Sequence, residues 1–278
     1  MTSATEASIR LVCFFSVFCG MALWELRTPR RPLAVRKSPR WFSNLGLVAL
    51  NVLLLRLIVP LTALKAASAA DERGWGLLNQ WRAPDGVRFI IAIVALDFAI
   101  YLQHILFHAV PGLWRLHVVH HADLDFDVTT GLRFHTFEIL ISTFIKIGVV
   151  FALGPPLWAV LAFEVLLNGT SMFNHSNVRL PAGLDRALRW IVVTPDMHRV
   201  HHSVDRRETN TNFGFNLPWW DFLLGTYRAQ PAAGHERMSI GVSYLREEQK
   251  VERLPGMLVL PFMKTTENYS ISGRNDRE

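Results

Sequence analysis

The sequence has 278 residues, half of them apolar, with eleven histidines, two cysteines and a formal net charge of +6. Its mean hydropathy of +0.22 is too high for an ordinary soluble enzyme of this length. Cys13 and Cys19 both fall in one apolar segment, which excludes a disulfide framework and a cysteine-based metal site. The composition is therefore that of a membrane protein.

Three apolar runs, at 10–26, 44–64 and 88–110, predict membrane-spanning helices. Each is long enough, at about 1.5 Å per residue, to cross or nearly cross a hydrocarbon core of roughly 30 Å. The first run is preceded only by Arg10 as a basic residue and has no clear small-residue cleavage site. We therefore expect a retained anchor rather than a cleaved signal peptide.

A fourth apolar run, 137–173, is too long for one span and is interrupted by the sequence GPP at 154–156. Because prolines end or kink helices, this run predicts a helical hairpin. Its two arms contain Lys146 and Glu164, so we expect the hairpin to enter the bilayer only in part.

The loop between the first two runs is strongly basic and has no acidic residue, whereas the segment 65–87 mixes both signs. By the positive-inside rule the basic loop is cytoplasmic, and the net positive charge then needs no nucleic-acid partner. Counting spans onward places the N-terminus outside and brings the chain after the third run, and after the hairpin, to the cytoplasmic side. The basic residues of the loop are Arg27, Arg30, Arg31, Arg36, Lys37 and Arg40.

Histidines dominate the middle of the chain. Ten of the eleven lie between residues 104 and 202, as the clusters HILFH, HVVHH and HRVHH and two single residues. Positions three and four apart lie on neighbouring parts of a helix surface, so each cluster can present two or three imidazoles to one point. Neutral imidazole is the commonest metal ligand, and one zinc ion would use only four, so the set predicts two metal ions. The candidate ligands are His104, His108, His117, His120, His121, His175, His198, His201 and His202, with His135 as a further candidate.

The alternative is that these are ordinary surface or core histidines that lie together by chance. We interpret the isolated His235 in that way, because a lone match is weak. A repeated H-x-x-H-H triplet together with a one-turn pair argues against coincidence for the rest. No glutamate follows His104 or His117 directly, which excludes the H-E-x-x-H pattern of zinc proteases.

Four polar residues are candidates to orient the histidines: Asp97, Tyr101, Glu138 and Asp196. Asp97 lies in an apolar run, where a carboxylate costs about 2.5 to 3.5 kcal/mol, and shares a helix face with Tyr101 and His104. We expect it to point toward the site, or alternatively to bond a neighbouring helix for packing alone. A ligating histidine usually donates its second ring N–H to a carboxylate or carbonyl. The acidic residues after the second cluster, Asp123, Asp125 and Asp127, are further candidates for this role. We expect each instead to be an exposed loop charge, because exposed acids are common.

Several motifs together resemble one family. HILFH, HVVHH, RFHTFE, NHSN, PDMHRVHHS and NTNFGFNLPWWDFLLGTY, over about residues 88–228, are similar to the sterol desaturase and fatty acid hydroxylase superfamily of membrane-bound, histidine-rich di-iron enzymes. NHSN and MHRVHH also resemble the alkylglycerol monooxygenase branch. The resemblance implies that the eight clustered histidines are ligands, that His175 is an additional ligand, and that His135 is either a ligand or a neighbour of one. Unlike the fatty acid 2-hydroxylase branch, this sequence has no second one-turn histidine pair around His175. A ten-histidine site of that type would therefore need His135 as a ligand.

The same resemblance implies an enzyme that binds two iron ions, uses O₂, and hydroxylates or desaturates an unactivated C–H bond of a lipid. The sequence does not choose between hydroxylation and desaturation, and it does not identify the lipid. It contains no G-x-G-x-x-G loop and no cysteines spaced for an iron–sulfur cluster. Electrons are therefore expected from a separate reductase or small electron carrier.

The expected fold is an all-α integral membrane bundle of about four to five membrane-embedded helices with a cytoplasmic, histidine-rich helical cap. We divide the chain into membrane anchor spans at 1–87, a catalytic domain at 88–228 and a C-terminal extension at 229–278 that ends in a disordered tail from residue 266. The amphipathic sequence LPAGLDRALRWIVV at 180–193 is expected to lie along the membrane interface.

Two other classes of function fit a histidine-rich membrane protein. A metal transporter would place its ligands near the bilayer midplane, whereas most of these histidines follow the end of a span. A zinc-stabilised membrane protein without catalytic activity would need only closed four-coordinate sites, and the surplus of histidines argues against it.

Overall fold

The computed structural model describes residues 3–264 and 270–271, and their regular structure is helical. Two 3₁₀ turns, Thr130–Leu132 and Leu260–Phe262, and three isolated β-bridges accompany the helices, and this part of the chain contains no strand. The prediction of an all-α fold is confirmed. The α-helices are α1 (Ser3–Arg27), α2 (Lys37–Ile58), α3 (Ala63–Arg73), α4 (Leu77–Gln80), α5 (Asp85–Ala109), α6 (Pro111–His121), α7 (Thr136–Leu153), α8 (Leu157–Asn174), α9 (Ala182–Leu188), α10 (Pro195–His201), α11 (Arg206–Thr209), α12 (Trp219–Leu223), α13 (Glu248–Val251) and α14 (Leu254–Val259).

Four regions are long and apolar enough to cross a membrane: Ala4–Arg27, Lys37–Gln80, Asp85–Ala109 and Thr136–Leu153. They contain the three predicted spans and the first arm of the predicted hairpin, so the predicted helical membrane bundle is confirmed. Large apolar side chains are exposed along α1, α2 and α5, as expected of helices that face lipid. The second arm, α8, packs against both α1 and α5.

The second span differs from its prediction. Instead of one helix over 44–64 followed by a loop, α2 ends at Ile58, and Val59 before Pro60 is extended. The residue before a proline disfavours helical backbone. The chain then forms α3, which buries a face of small residues against α7 and α8. Hydropathy does not reveal this helix, because its buried face consists mainly of alanines: Ala63, Ala66, Ala67 and Ala70.

The turn that ends α7 and the turn between α3 and α4 are in close backbone contact at one end of the bundle. Gly154, which ends α7 in the left-handed conformation, lies so close to the α3–α4 turn that a Cβ there would be 2.4 Å from the carbonyl oxygen of Trp75. A Cβ on Gly76 would in turn be 2.2 Å from the backbone nitrogen of Gly154. Both positions therefore require glycine.

The charges within the predicted hairpin are paired. Glu164 of α8 accepts hydrogen bonds from Lys146 of α7 and from Arg10 of α1, the latter over 2.6 Å. Because the carboxylate is buried against two cations, these charges are compatible with a position inside the helical bundle. The sequence did not reveal that Arg10 takes part.

The histidine-bearing segments meet at the opposite end of the bundle, where a buried ion network holds the connection between α6 and α7. Arg40 pairs with Asp123 and Asp127, and Arg133 pairs with Glu252 over 2.7 Å. The expectation that Asp123, Asp125 and Asp127 are exposed is wrong, because these acids are buried. Arg40 is likewise buried and serves as a structural counter-ion rather than an exposed loop charge.

Residues after 228 pack back onto this end. Leu245, Val251 and Met257 join Trp114 and Val118 of α6 in one apolar cluster. Within the segment 180–193, only Ala182–Leu188 is helical; this helix, α9, has no buried residue, whereas Arg189 and Val193 after it are buried. The predicted disordered tail lies outside the described residues, except for Ser270 and Ile271.

The buried network generates a stability prediction. Arg40→Met should lower the free energy of unfolding by about 3 to 5 kcal/mol, because removing one partner leaves buried charges uncompensated. The thermal midpoint in detergent micelles measures this effect. Arg36→Met changes an exposed arginine four residues earlier. Its free energy of unfolding should lie within about 0.5 kcal/mol of that of the unmodified protein. Equal melting of the two variants would contradict the structural role of Arg40.

Candidate metal centre

Nine buried histidines form two adjacent groups. Within each group, one ring nitrogen from every residue lies within 4.8 Å of the others. The rings of His121 and His202, which belong to different groups, are stacked with centroids 4.6 Å apart. The five-histidine group is His104, His108, His117, His121 and His201, and the four-histidine group is His120, His175, His198 and His202.

Each H-x-x-H-H triplet contributes to both groups. His117 and His121 share one group, whereas His120 belongs to the other; His198 and His202 share a group that excludes His201. With about 100° of rotation per residue, positions one and five are about 40° apart, and position four diverges from position five by about 100°. The expectation that a cluster serves a single point is therefore wrong for the triplets. One triplet helix bridges two neighbouring points.

In several rings, the nitrogen that points away from the histidine group, the outer nitrogen, is hydrogen-bonded to a backbone carbonyl oxygen. In the five-histidine group, His104 Nδ1 lies 2.8 Å from the Phe213 carbonyl oxygen, and His201 Nδ1 lies 2.7 Å from that of Thr211. A carbonyl oxygen only accepts hydrogen bonds, so in both rings Nδ1 carries the proton. Each neutral ring then presents a lone pair at Nε2.

These two lone pairs face each other. Nε2 of His104 and Nε2 of His201 are 3.1 Å apart, and neither neutral ring has a proton to place between them. Two nitrogens bound at right angles to one metal, each about 2.1 Å from it, are separated by about 3.0 Å. The spacing is therefore that of two ligands of a single cation.

The four-histidine group has the same construction. His175 Nδ1 lies 2.8 Å from the Ser171 carbonyl oxygen, which leaves its Nε2 as a lone pair. That Nε2 is 3.1 Å from His120 Nε2 and 3.0 Å from His198 Nε2. Three ring nitrogens thus converge on one point, as the ligands of a second cation would.

Other ring nitrogens in the centre are buried without a hydrogen-bond partner among the described residues. They include Nε2 of His117 and both ring nitrogens of His202. Buried polar atoms are almost always satisfied, so these atoms support a bound ion. The donor set fits two metals of the kind that imidazole suits, namely iron, zinc, copper or nickel, and five ligands exceed the four of a structural zinc site.

Burial keeps the rings in the form that binds metal. It lowers the pKa of His175 to about 3. Burial, reinforced by the neighbouring imidazoles, also holds the pKa of His120, His121 and His202 well below 6.5. Neutral imidazole has a free lone pair, so the low pKa values favour coordination across the physiological pH range.

Glu138 is placed to orient a ligand. Its Oε1 lies 2.6 Å from His117 Nδ1 at the start of α7, and its other oxygen has no partner in the described chain. His108 Nδ1 is held by the side-chain oxygen of Asn210 over 3.1 Å. Both contacts leave Nε2 directed at the five-histidine group.

Asp97 and Tyr101 support the segment that follows the centre. Asp97 accepts a hydrogen bond from Trp220 Nε1 over 2.8 Å and from the backbone of Asn216 and Leu217. Tyr101 bonds Thr226 over 2.8 Å. Neither side chain has a described hydrogen bond to a histidine, but the segment they hold carries the Phe213 carbonyl that fixes His104.

Asp196 and His135 lie away from both groups. Asp196 pairs with Arg199 and Arg30, and Arg199 in turn lies over the Phe126 ring. His135 caps the N-terminus of α7 and accepts a hydrogen bond from the Phe137 backbone. Its other ring nitrogen is 3.3 Å from a carbonyl oxygen, so both nitrogens face partners outside the centre.

Sequence reasoning missed the acceptors that fix the rings. Ser171, Thr211 and Phe213 act through backbone carbonyls, for which no side-chain signal exists. Asn210 was visible only as part of the motif NTNFGFNLPWW. Its position at the C-terminal end of α11, one helix after the third cluster, gave no reason to pair it with His108 in α5.

The fold and the two histidine groups define a class: helical membrane proteins with two adjacent, histidine-only groups that could each hold a metal ion. Residues 89–226 match the family described as fatty acid hydroxylase, a range that includes all nine histidines. The chain therefore contains a fatty acid hydroxylase domain, which confirms the resemblance of its motifs to the sterol desaturase and fatty acid hydroxylase superfamily.

Named relatives have related activities. The chain is 34% identical over 153 residues to ornithine lipid hydroxylase OlsE of Rhizobium tropici, covering 55% of this chain and 45% of that protein. It is 29% identical over 154 residues to the alkylglycerol monooxygenase of Homo sapiens, covering 55% and 32%. It is 28% identical over 145 residues to the cholesterol 25-hydroxylase of Rattus norvegicus, covering 51% and 47%. The matches thus span less than half the length of each relative. No solved structure matches the chain.

The contact between Glu138 and His117 generates a prediction. Glu138→Gln keeps the size of the side chain but removes its charge, and should weaken metal binding at the five-histidine group by about 10- to 100-fold. In a chelator titration of metal-loaded protein, one of two ions should leave at lower chelator concentration. Glu72→Gln, at an exposed position outside the centre, should behave as the unmodified protein. Retention of both ions with unchanged affinity in Glu138→Gln would show that this contact does not orient the ligand.

Proposed function

We propose that the chain is a lipid hydroxylase that holds two iron ions in its histidine groups and uses O₂ and externally supplied electrons. The facing lone pairs of His104 and His201, 3.1 Å apart, are the observation that carries the metal part of the proposal. The names of the relatives, a lipid hydroxylase, an alkylglycerol monooxygenase and a cholesterol hydroxylase, support hydroxylation of a lipid rather than desaturation.

The donor set suits iron in a redox role. When bound, two iron ions supply the O₂ chemistry needed to attack an unactivated C–H bond. The protein holds the rings rigid through carbonyl and carboxylate contacts at their outer nitrogens. Because second partners fix ring orientation, the lone pairs are directed before any ion binds.

Aromatic side chains around the centre exclude water. The Phe134 ring stacks on His120 with centroids 4.4 Å apart, and Trp114 lies 4.9 Å from His108. Phe126 packs against His202 at 5.1 Å and Phe213 against His201 at 5.5 Å. A site enclosed in this way protects a reactive oxidant from side reactions with solvent.

The position of the centre supports an enzyme over a transporter. His104 and His108 lie in the last two turns of α5. The other seven histidines all come after the end of this span in the sequence. A transporter would hold its ligands near the bilayer midplane. We propose that the catalytic domain comprises 88–228, with the anchor spans at 1–87 and the extension from 229 packed around it.

Electrons are proposed to come from a separate donor on the cytoplasmic side. The basic loop after α1 lies at the same end of the bundle as the histidines: the Arg30 backbone donates to Asn177 over 2.8 Å, and its side chain contacts Asp196. If this loop is cytoplasmic by the positive-inside rule, the metal centre faces the cytoplasm.

The function is tested by lipid analysis of cells that express the chain. Lipids heavier by one oxygen atom should accumulate, and the added oxygen should derive from O₂ in an isotope-labelling experiment. His121→Ala and His202→Ala, one in each group, should abolish the product. Each should also lower the iron content of the purified protein from about two ions per chain toward one.

His135→Ala is the matched control, because His135 is a buried histidine outside both groups. It should retain both iron ions. Unmodified protein that carries one iron or none after anaerobic reconstitution, or oxygenated lipids that persist in both ligand variants, would contradict the proposal. Loss of iron in His135→Ala would return this residue to the ligand set.

The membrane orientation is tested by cysteine labelling in intact cells, with Cys13 and Cys19 replaced by serine. Ala34→Cys and Ala187→Cys, both exposed at the histidine end, should resist a membrane-impermeant thiol reagent, and Ser68→Cys, exposed in α3, should react. Labelling of the first two from outside would invert the orientation and exclude a cytoplasmic electron donor.

A further inference from the structure

A cavity of about 690 Å³ lies between α9, the start of α10 and the segment 227–235. It is distinct from the metal centre, although Asp196 in its wall lies two residues before His198 on α10. Four arginines and two aspartates are among its lining residues, an excess of two positive charges. They are Arg30, Arg179, Arg186, Arg189, Asp185 and Asp196.

The acidic groups do not neutralise all of the arginines. Asp185 is paired with Arg189 over 2.7 Å, and Asp196 with Arg30 over 3.1 Å. Glu236 also pairs with Arg30 and Arg179. Arg186 is exposed, and its charge has no acidic partner in the described part of the chain.

Arg189 is held in place by hydrogen bonds, yet one of its donor nitrogens has no acceptor in the part of the chain that the structure describes. Its side chain is 7% exposed, and it donates to Asp185, to the Tyr227 hydroxyl and to the Ala229 carbonyl. Its Nη2 is nevertheless buried without a partner among the described residues. A buried donor that is fixed but unsatisfied indicates a ligand with an acceptor oxygen.

His235, another lining residue, provides the same indication. It is 3% exposed, and the nearest oxygen of Asp196 is 3.6 Å from its Nε2, too far for a hydrogen bond. Neither of its ring nitrogens has a partner within the described residues. Two buried polar side chains thus present unsatisfied atoms to one cavity.

An apolar surface adjoins the cavity. Trp190, Ile191 and Leu223 are 68%, 65% and 73% exposed. Phe222 connects this surface to the cavity, because its ring lies 5.4 Å from Trp190 and 4.4 Å from Tyr227, a lining residue. Exposed tryptophan beside aliphatic side chains is typical of a surface that lies in the membrane interface.

We propose that this cavity binds the anionic headgroup of a membrane lipid, with the acyl chains lying along the Trp190 surface. Arginine forks match the oxygen geometry of phosphate and carboxylate. A soluble anion would satisfy the arginines but leave the apolar surface exposed, and an uncharged lipid would do the reverse. An anionic lipid satisfies both, and its binding requires no turnover and does not rest on the proposed function.

The test measures binding to the full chain in detergent micelles by calorimetry. The probes are dihexanoyl phosphatidic acid, dihexanoyl phosphatidylcholine and inorganic phosphate. Phosphatidic acid should bind the unmodified protein at least about tenfold more tightly than either of the others, because only it combines a net negative headgroup with acyl chains.

Arg189→Gln should weaken binding of phosphatidic acid about tenfold, because it removes a charged donor. Arg186→Gln should weaken it about threefold through loss of exposed charge. The second variant keeps the test decisive if the first disturbs folding, since Arg186 is exposed. Arg36→Gln, an exposed arginine at the same end of the bundle but outside the cavity, should bind as the unmodified protein does.

Three results would overturn the proposal. If Arg186→Gln binds phosphatidic acid as tightly as the unmodified protein does, the lipid binds outside this cavity. Equally tight binding of inorganic phosphate would identify a site for soluble anions. Equally tight binding of phosphatidylcholine, in which a choline cation offsets the phosphate charge, would show that the site does not select an anionic headgroup.

Discussion

The structure depends on one electrostatic constraint, the convergence of unprotonated imidazole nitrogens in a buried space. His104 and His201 each donate through Nδ1 to a backbone carbonyl, so their Nε2 lone pairs oppose each other across 3.1 Å. In water, protonation would relieve this repulsion, but burial disfavours the charged ring. A cation between the rings is the remaining means of stabilising the arrangement. The rest of the fold maintains this geometry before any ion binds.

Two layers of structure maintain it. The inner layer consists of the carbonyl and carboxylate partners of the outer nitrogens, including the Glu138 contact with His117 at 2.6 Å. The outer layer is the buried ion network in which Arg40 and Arg133 secure the connection between α6 and α7. Because that connection joins the second histidine cluster to Glu138, Arg40 near the N-terminus of α2 helps to position the candidate ligand His117, which lies far along the sequence.

The sequence predicted the parts of this architecture that depend on local pattern. Spacing identified eight of the nine histidines, and hydropathy identified the spans, because both signals lie within about one turn or one membrane thickness. The ninth, His175, stands alone in the sequence and was assigned as a ligand from the family resemblance. It did not predict that Arg40 finds Asp123, that alanines form the buried face of α3, or that carbonyls of Phe213 and Thr211 fix the rings. These contacts join residues distant in sequence or use backbone atoms. The division of each triplet between two groups follows from helical rotation, but only the fold shows which neighbours complete each group.

The most direct test of a double histidine centre is the anomalous scattering of crystals of iron-loaded protein, measured at the iron absorption edge. A double centre should give two peaks, one among His104, His108, His117, His121 and His201 and the other among His120, His175, His198 and His202. A single peak shared by the two groups, or peaks located elsewhere in the protein, would contradict it.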